Sequence, residues 1–491
     1  MVPLFVIIPL AAAFLIPLVA KVRQDSARWI ANTGAWLLLC FSIASFWWVK
    51  NTAIVYSVGG WKPPFGICMV LDSFSALMLL VINLVGCIVL LYSLDYIKKY
   101  TSPHLYYTLF SLLLAGLNGL AISGDLFNLY VFLEISSIAS YALIAFGTEA
   151  EELEASFKYL VLGSVADVLI LFGIGVLYGR VSTLNMADLA RSLQGISLAD
   201  PVLYATALFL VGFGLKTALV PFHAWLPDAH PAAPAPMSAM LSGVVIKVVG
   251  AYALTRVIFN VIGITPLVST VLIVLGVISM AAGVLLAIGQ WDFKRLLAYH
   301  SISQIGYVIF GIGLGTPLGV AGGLFHLFNH SLFKSLLFLN SGAVEYATGT
   351  RDLRKVAGLS RSMPVTSATS LIASLSIAGI PPLCGFWSKL IIIIAAFQAN
   401  HIAGAVVCIL TALVTLASFL KVQQYAFLRV VDNVSREARE APLFMRAAMI
   451  GLALLCIATG LFFWPFMESV IKPAARVILD GVRYAGMVLG G

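Results

Sequence analysis

Stretches of about twenty predominantly apolar residues recur from one end of this 491-residue chain to the other, and no polar interval between them is long enough to fold as a soluble domain. A stretch of that length crosses the hydrocarbon of a bilayer as a helix, the conformation that satisfies its own backbone donors and acceptors away from water. Fourteen such spans are predicted, near 3–21, 30–48, 70–92, 105–123, 127–147, 157–178, 202–222, 237–258, 266–288, 296–314, 319–344, 364–397, 402–427 and 444–470. The expected fold is an all-α polytopic membrane protein. With 61% hydrophobic and 10% charged residues, the composition excludes a soluble enzyme.

The apolar opening carries no cation ahead of it, unlike a secretory leader, and Lys21 and Arg23 follow it. A retained first helix starting on the outer side is expected. Of the 29 Lys and Arg, 17 fall in loops after odd-numbered spans (among them Lys98, Lys158, Lys294, Arg351 and Arg436) and 8 on the opposite side (among them Lys50 and Arg256). That bias places the odd-numbered loops in the cytoplasm and both termini outside, in the cell's inner (cytoplasmic) membrane. It also accounts for the net charge of +8 without nucleic acid as a partner. The six cysteines are scattered singly and read as apolar filler, with no spacing for a cluster, a zinc site or a redox pair.

Four lysines remain, Lys216, Lys247, Lys334 and Lys389, and all fall inside spans. On insertion scales a central Lys costs roughly 2.5–3.5 kcal/mol, so four together oppose insertion by on the order of 10–14 kcal/mol unless they snorkel or serve a purpose. Two acids share the interior: Glu134 in VFLEISSIASYALIAF and Asp167 in LVLGSVADVLILFGIG. A carboxylate beside an ammonium keeps both charged, whereas separation in low dielectric does not, so pairing sets who holds a proton. Groups of that kind, joined across an apolar barrier, suit a proton relay.

Segment seven, ALFLVGFGLKTALVPFHAWLPDAHPAAPAPMSAM, carries five prolines after Lys216, and segment twelve, SATSLIASLSIAGIPPLCGFWSKLIIIIAAF, carries Pro381 and Pro382 before Lys389. Proline removes a backbone donor and clashes one turn back, so both helices are expected to break, and irregular backbone at that depth must face protein or water. Pro221 and Pro382 lie 161 residues apart (221 to 382), about five spans. Broken segments in corresponding halves point to inverted repeats, here spans four to eight and nine to thirteen. The chain divides accordingly into 1–100, 101–260, 261–430 and 431–491.

GGLFHLFNHSLFKSLLFLNSG places His326, His330 and Lys334 at i, i+4 and i+8 on one helical face. The residues between the two histidines supply no catalytic acid, so a proton-relay stripe is favoured over metal binding and over plain packing. His300, near the cytoplasmic end of span ten, and His223, within the first break, are secondary candidates. The glycines of FGIGVLYGR and FGIGLG fit helix packing rather than a nucleotide loop. Glu149, Glu151, Glu152 and Glu154 read as a solvated loop.

PFHAWLPDAHPAAPAPMSAMLSGVVIKVVGAYALTRV, with DFKRLLAYHSISQIGYV, HLFNHSLFKSLLFLNSG and AGIPPLCGFWSK, resembles the antiporter-like proton-conducting subunits shared by respiratory complex I, membrane-bound hydrogenases and Mrp cation/proton antiporters. The resemblance covers about spans three to thirteen. It implies a fourteen-helix subunit with two inverted five-helix repeats, broken helices seven and twelve, and other integral membrane subunits as partners. The family's proton-path Glu and Lys positions match Glu134, Lys216, Lys247 and Lys389, and its polar helix-eleven positions match His326, His330 and Lys334. The phrases PFHAWLPDAHPAAP and AYHSISQIGY look closer to the hydrogenase and complex I members than to Mrp. Asp167 departs from the family pattern, where a small or apolar residue is usual; it either adds an acid to the Glu134–Lys216 region or bonds a neighbouring helix.

The function expected is proton translocation through a Glu134–Lys216 pair, Lys247, the His326–His330–Lys334 stripe and Lys389, coupled to redox chemistry or an ion gradient in partner subunits. The chain alone is expected to catalyse no bond chemistry and to hold neither cofactor nor metal. Two rivals stand beside it. Sodium/proton exchange would need Asp72, Glu134 and Asp167 to converge as oxygen ligands. A passive spacer would tolerate neutral residues in place of the four lysines.

Overall fold

The computed structural model describes residues 1–23, 25–49, 52–194, 200–429 and 438–490; Lys50 and Arg436, two of the cations counted above, lie outside them. Among the described residues ten helices are long and apolar enough to cross a membrane, accompanied by the shorter apolar helices Leu4–Ala20, Asp200–Thr217, Pro364–Ala378 and Cys384–Gln398. The chain is a multi-pass integral membrane protein. Its centre is formed by the Ser73–Tyr96, Phe293–Gly313 and Pro317–Thr348 helices together with the helical run 235–262, all of them buried along most of their length.

Two expectations need correcting. The third span does not begin at residue 70: Ile54–Ser57 and Cys68–Leu71 pair as a short antiparallel hairpin, Ile54 opposite Leu71. Asp72 ends that strand and opens the Ser73–Tyr96 helix by accepting the Ser75 amide at 2.8 Å. The acidic quartet is not a loop either. Glu149 and Glu152 form a reciprocal cap at the start of the Ala150–Val181 helix, where negative charge meets free amides, and Glu152 is buried.

Both proline breaks are present. The Asp200–Thr217 helix stops at Ala218 with φ +58°, Leu219 N donates back to Gly214 O at 3.0 Å, and helix resumes at Leu226–Ala232. The Pro364–Ala378 helix stops at Gly379 with φ +86°, Ile380 N donates back to Leu375 O at 3.0 Å, and helix resumes at Cys384–Gln398. Each is a left-handed cap followed by prolines that cannot rejoin the helical ladder. The second stop repeats the first 161 residues on (214 to 375, 219 to 380).

Another pair of backbone motifs recurs at a nearby offset. Leu126 N donates to Leu184 O (2.9 Å) and Met186 N to Gly124 O (3.0 Å), clamping the start of the Leu126–Ile144 helix to the loop before Met186–Ser192. Phe293 N to Arg351 O and Leu353 N to Trp291 O, both 3.0 Å, do the same 167 residues on (126 to 293, 184 to 351). Asp125 and Asp292 cap the two helices alike, accepting the Asn128 and Arg295 amides at 2.9 Å.

Candidate functional site

Lys216 ends its helix immediately before the first break, which turns its ammonium into a space walled by the Leu126–Ile144 and Ala150–Val181 helices. Its Nζ lies 2.7 and 2.8 Å from the two carboxylate oxygens of Asp167, donates to Ser137 Oγ at 3.0 Å, and reaches Tyr141 OH at 3.4 Å. Trp225, just past the break, caps the arrangement by donating to Leu215 O at 3.0 Å and stacking on Tyr159 at 4.1 Å. The direct partner of Lys216 is therefore Asp167. Glu134 forms no ion pair within 4 Å among the described residues; it stands on the same Leu126–Ile144 helix one turn before Ser137 and acts on the pair through space.

Lys247 is fully buried on the next helical segment, where Leu241–Tyr252 is wound as a π-helix, and its ammonium donates to Ser242 O. Two glycines set its position. A Cβ on Gly250 would collide with Thr217 Oγ1, and one on Gly243 with Ser335 Oγ. Only glycine allows those approaches, which bring Lys247 between the helix that ends beside Lys216 and the helix that carries Lys334.

On the Pro317–Thr348 helix, His326, His330 and Lys334 are all fully buried. His326 Nδ1 is 3.0 Å from Ser388 Oγ, and its ring lies 6.2 Å from and nearly parallel to that of His330. Neither nitrogen of His330 nor the Nζ of Lys334 has a protein hydrogen-bond partner among the described residues. Tyr307 joins this stripe to the second break: its ring is 5.3 Å from His326, and Lys389 Nζ sits 5.0 Å over it. Lys389 then reaches back across the break to donate to Ile377 O at 2.7 Å, a carbonyl at the end of the Pro364–Ala378 helix. Under the 161-residue offset Ile377 corresponds to Lys216 (216 to 377), so the carbonyl that takes the Lys389 ammonium stands at the position equivalent to Lys216, before the second break.

Of the secondary candidates, His300 is buried with Nε2 2.8 Å from Ser418 Oγ, and His223 is half-buried in the first break; neither touches the four lysines. Asp72 does not converge with the other acids. It holds Arg256 in a buried bidentate pair at 2.8 and 2.9 Å. Arg256, counted from sequence as a loop cation, is thus interior, and so is Lys294, which pairs with Glu345 at 2.8 Å. Around it the loop charges are locked in pairs: the guanidinium of Arg354 holds Asp352 down to about 2.

Sequence reasoning passed over His230, Gln304 and Asn340, which are fully buried with side-chain nitrogens that no protein group among the described residues satisfies. Buried polar atoms are almost always satisfied, by ordered water where protein does not reach. With His330 and Lys334, such atoms mark polar points in an otherwise apolar core. All six cysteines are free thiols.

The comparisons with known proteins agree with this architecture. Residues 123–415 match the family model described as NADH:quinone oxidoreductase/Mrp antiporter, TM, and residues 56–107 match that of NADH-Ubiquinone oxidoreductase (complex I), chain 5 N-terminus. The chain is 34% identical to a Na(+)/H(+) antiporter subunit of Alkalihalophilus pseudofirmus over 90% of this chain and 89% of that one. It is 35% identical to an NADH-quinone oxidoreductase subunit of Desulforudis audaxviator over 96% and 97%. A chain in the structure of the membrane-bound sulfane sulfur reductase, an archaeal respiratory membrane complex, superposes with a TM-score of 0.93 at 31% identity, covering 99% of both. Antiporter and oxidoreductase relatives are thus about equally near.

Proposed function

The chain belongs to the NADH:quinone oxidoreductase/Mrp antiporter family of membrane subunits, and on that premise we propose that it translocates protons as one subunit of a larger membrane complex. The observation that carries this reading is the enclosed Lys216–Asp167 pair beside a helix break, continued by Lys247, His330, Lys334, His326 and Lys389. Buried charge of this kind costs stability and is placed where charge must move.

Fourteen crossings follow if the ten long helices are joined by Leu4–Ala20, Asp200–Thr217, the polar Pro317–Thr348 helix and the broken pair Pro364–Ala378/Cys384–Gln398 taken as one. The recurring helix stops and clamps support two five-helix repeats, 101–260 and 261–430, flanked by 1–100 and 431–491. An odd number of crossings between copies inverts one against the other. The cation bias supports an inner-membrane orientation with both termini outside. Its relatives act within antiporter and respiratory complexes, so the driving chemistry of this chain is assigned to partner subunits.

In this mechanism an electrostatic change in a neighbouring subunit, felt through Glu134, separates Lys216 from Asp167. The ammonium then yields its proton towards Lys247, and the proton continues through the Lys334–His330–His326 stripe to Lys389 and outward. Asp167 takes the pairing role expected of Glu134, and Glu134 becomes the carboxylate that biases the pair. In vesicles containing the purified complex, Lys216→Met is expected to assemble and to stop proton uptake; uptake at the parental rate would refute the reading.

Sodium/proton exchange has one observation in its favour, the clustering of Asp167, Ser137 and Tyr141 oxygens around one point. The ammonium of Lys216 already occupies that point.

A further inference from the structure

The cation-rich loops carry a feature that the path above leaves unused. A cavity of about 440 Å³ opens there, bounded in part by Glu152, Ala232, Ala233, Lys294, Glu345 and Arg351. The Nζ of Lys294, almost wholly buried, lies 2.8 Å from Glu345 Oε2 and donates to Ala233 O at 3.2 Å, while Arg351 donates to Pro231 O. One side of this cavity is thus the end of the short Leu226–Ala232 helix that follows the first break.

His230 lies in that helix. It is fully buried, and neither ring nitrogen has a protein partner among the described residues. Its ring stacks on Phe338 at 4.7 Å, and the Nζ of Lys334 sits 5.6 Å from the centroid of the same ring. Lys334, Phe338 and Glu345 follow one another at i, i+4 and i+11, one face of the Pro317–Thr348 helix. The charged groups acting on His230 are Lys334, Lys247 and Lys294, with Glu345 behind Lys294. A histidine retained only for packing would have its nitrogens bonded to protein, as most buried polar groups do. Here both are free to take ordered water, in a ring packed between the helix that ends at the cavity and the helix that carries Lys334.

We propose that His230 is the inlet relay of this protein, passing protons between the Glu345–Lys294 pair at the cavity and Lys334 in the interior. The inference rests on the proton-translocation reading. One ring nitrogen accepts a proton that the cavity-side water relays from solution, the other then releases its own through water to the neutral amine of Lys334, which leaves the ring neutral in the opposite tautomer; return to the starting tautomer resets the relay, so one proton enters for each that leaves.

The test uses the intact complex in vesicles, driven by an imposed potassium diffusion potential, with assembly checked on native gels. His230→Phe keeps the stack on Phe338 and removes the relay; it is expected to slow proton uptake by about tenfold or more and to change the solvent deuterium isotope effect, which a purely structural role would leave alone. Should it fail to assemble, His230→Gln is measured in its place. Glu345→Gln is expected to slow uptake, and the double variant to be no slower than the slower single, as steps in series require. Lys216→Met in the same preparation separates the two levels. If it halts uptake while the His230 variant runs at the parental rate with an unchanged isotope effect, the inlet is wrong and the function stands; if it leaves uptake untouched, the function itself falls.

Discussion

Lys216 and Asp167 face each other at 2.7 Å with side chains 1% and 6% exposed, on helices joined by a contact 49 residues apart in sequence. Loss of one member of so enclosed a pair costs about 3–5 kcal/mol where the survivor stays charged and dry, and less where it changes protonation, as a lone Asp167 carboxyl does by taking a proton in Lys216→Met.

Asp167→Asn is therefore expected to slow proton uptake at least as much as Glu134→Gln, since of the two acids Asp167 is the one that touches the ammonium. Because Lys216→Met is itself expected to stop uptake, coupling is read in stability: the double variant Asp167→Asn with Lys216→Met should be destabilised by less than the sum of the two single variants, the non-additivity of groups in contact. Additive losses in the thermal unfolding of the purified complex would show that the two residues act separately.

The two left-handed helix stops make opposite predictions. Gly379 has φ +86°, and a Cβ there would meet Lys389 Cδ at 3.1 Å, so Gly379→Ala is expected to destabilise by about 1–2 kcal/mol and to displace the lysine stem. Ala218 occupies the equivalent left-handed position with a side chain, and Ala218→Gly removes that steric conflict at some cost in unfolded-state entropy. Thermal unfolding of the purified complex should move down for the first and hold or rise for the second, with transport lost only in the first.

Asp72 and Arg256 form a structural pair whose loss should be felt in assembly. Asp72→Asn leaves a fully buried guanidinium without its carboxylate, at about 3–5 kcal/mol, whereas replacing both members with apolar residues (Asp72→Leu with Arg256→Met) should recover much of it. The amount of complex in membranes reports this; a parental level for Asp72→Asn would assign the pair no structural weight.

What the sequence made legible were features with local signatures. Apolar windows reveal helices by length alone, proline clusters reveal breaks, and Lys216, Lys247, Lys334 and Lys389 stand out because an ammonium is anomalous inside an apolar run. Partner choice has no such signature. Asp167 meets Lys216, and Asp72 meets Arg256 across 184 residues, only through helix packing. Arg256 and Lys294 read as loop cations because they sit near span ends, and folding buries them. His230 was masked by the prolines around it, although a histidine inside a proline-broken membrane segment is itself a polar residue where the backbone already demands a polar setting. The Ile54–Ser57 strand was lost between long helices because four residues carry little periodicity.

Sodium provides the sharpest separation between the two transport readings. A bound sodium ion needs several oxygen ligands, and the Asp167 carboxylate, Ser137 and Tyr141 all direct oxygens at the position held by the ammonium of Lys216. While that ammonium stays in place, the cation charge of the site is supplied by the protein, and a second cation would add like charge in a poorly screened interior. Proton uptake by vesicles holding the parental complex is therefore expected to be the same in sodium and in choline medium. A sodium-dependent pH change that disappears in Asp167→Asn would mean that the ion displaces the lysine, and would transfer the function from proton relay to exchange.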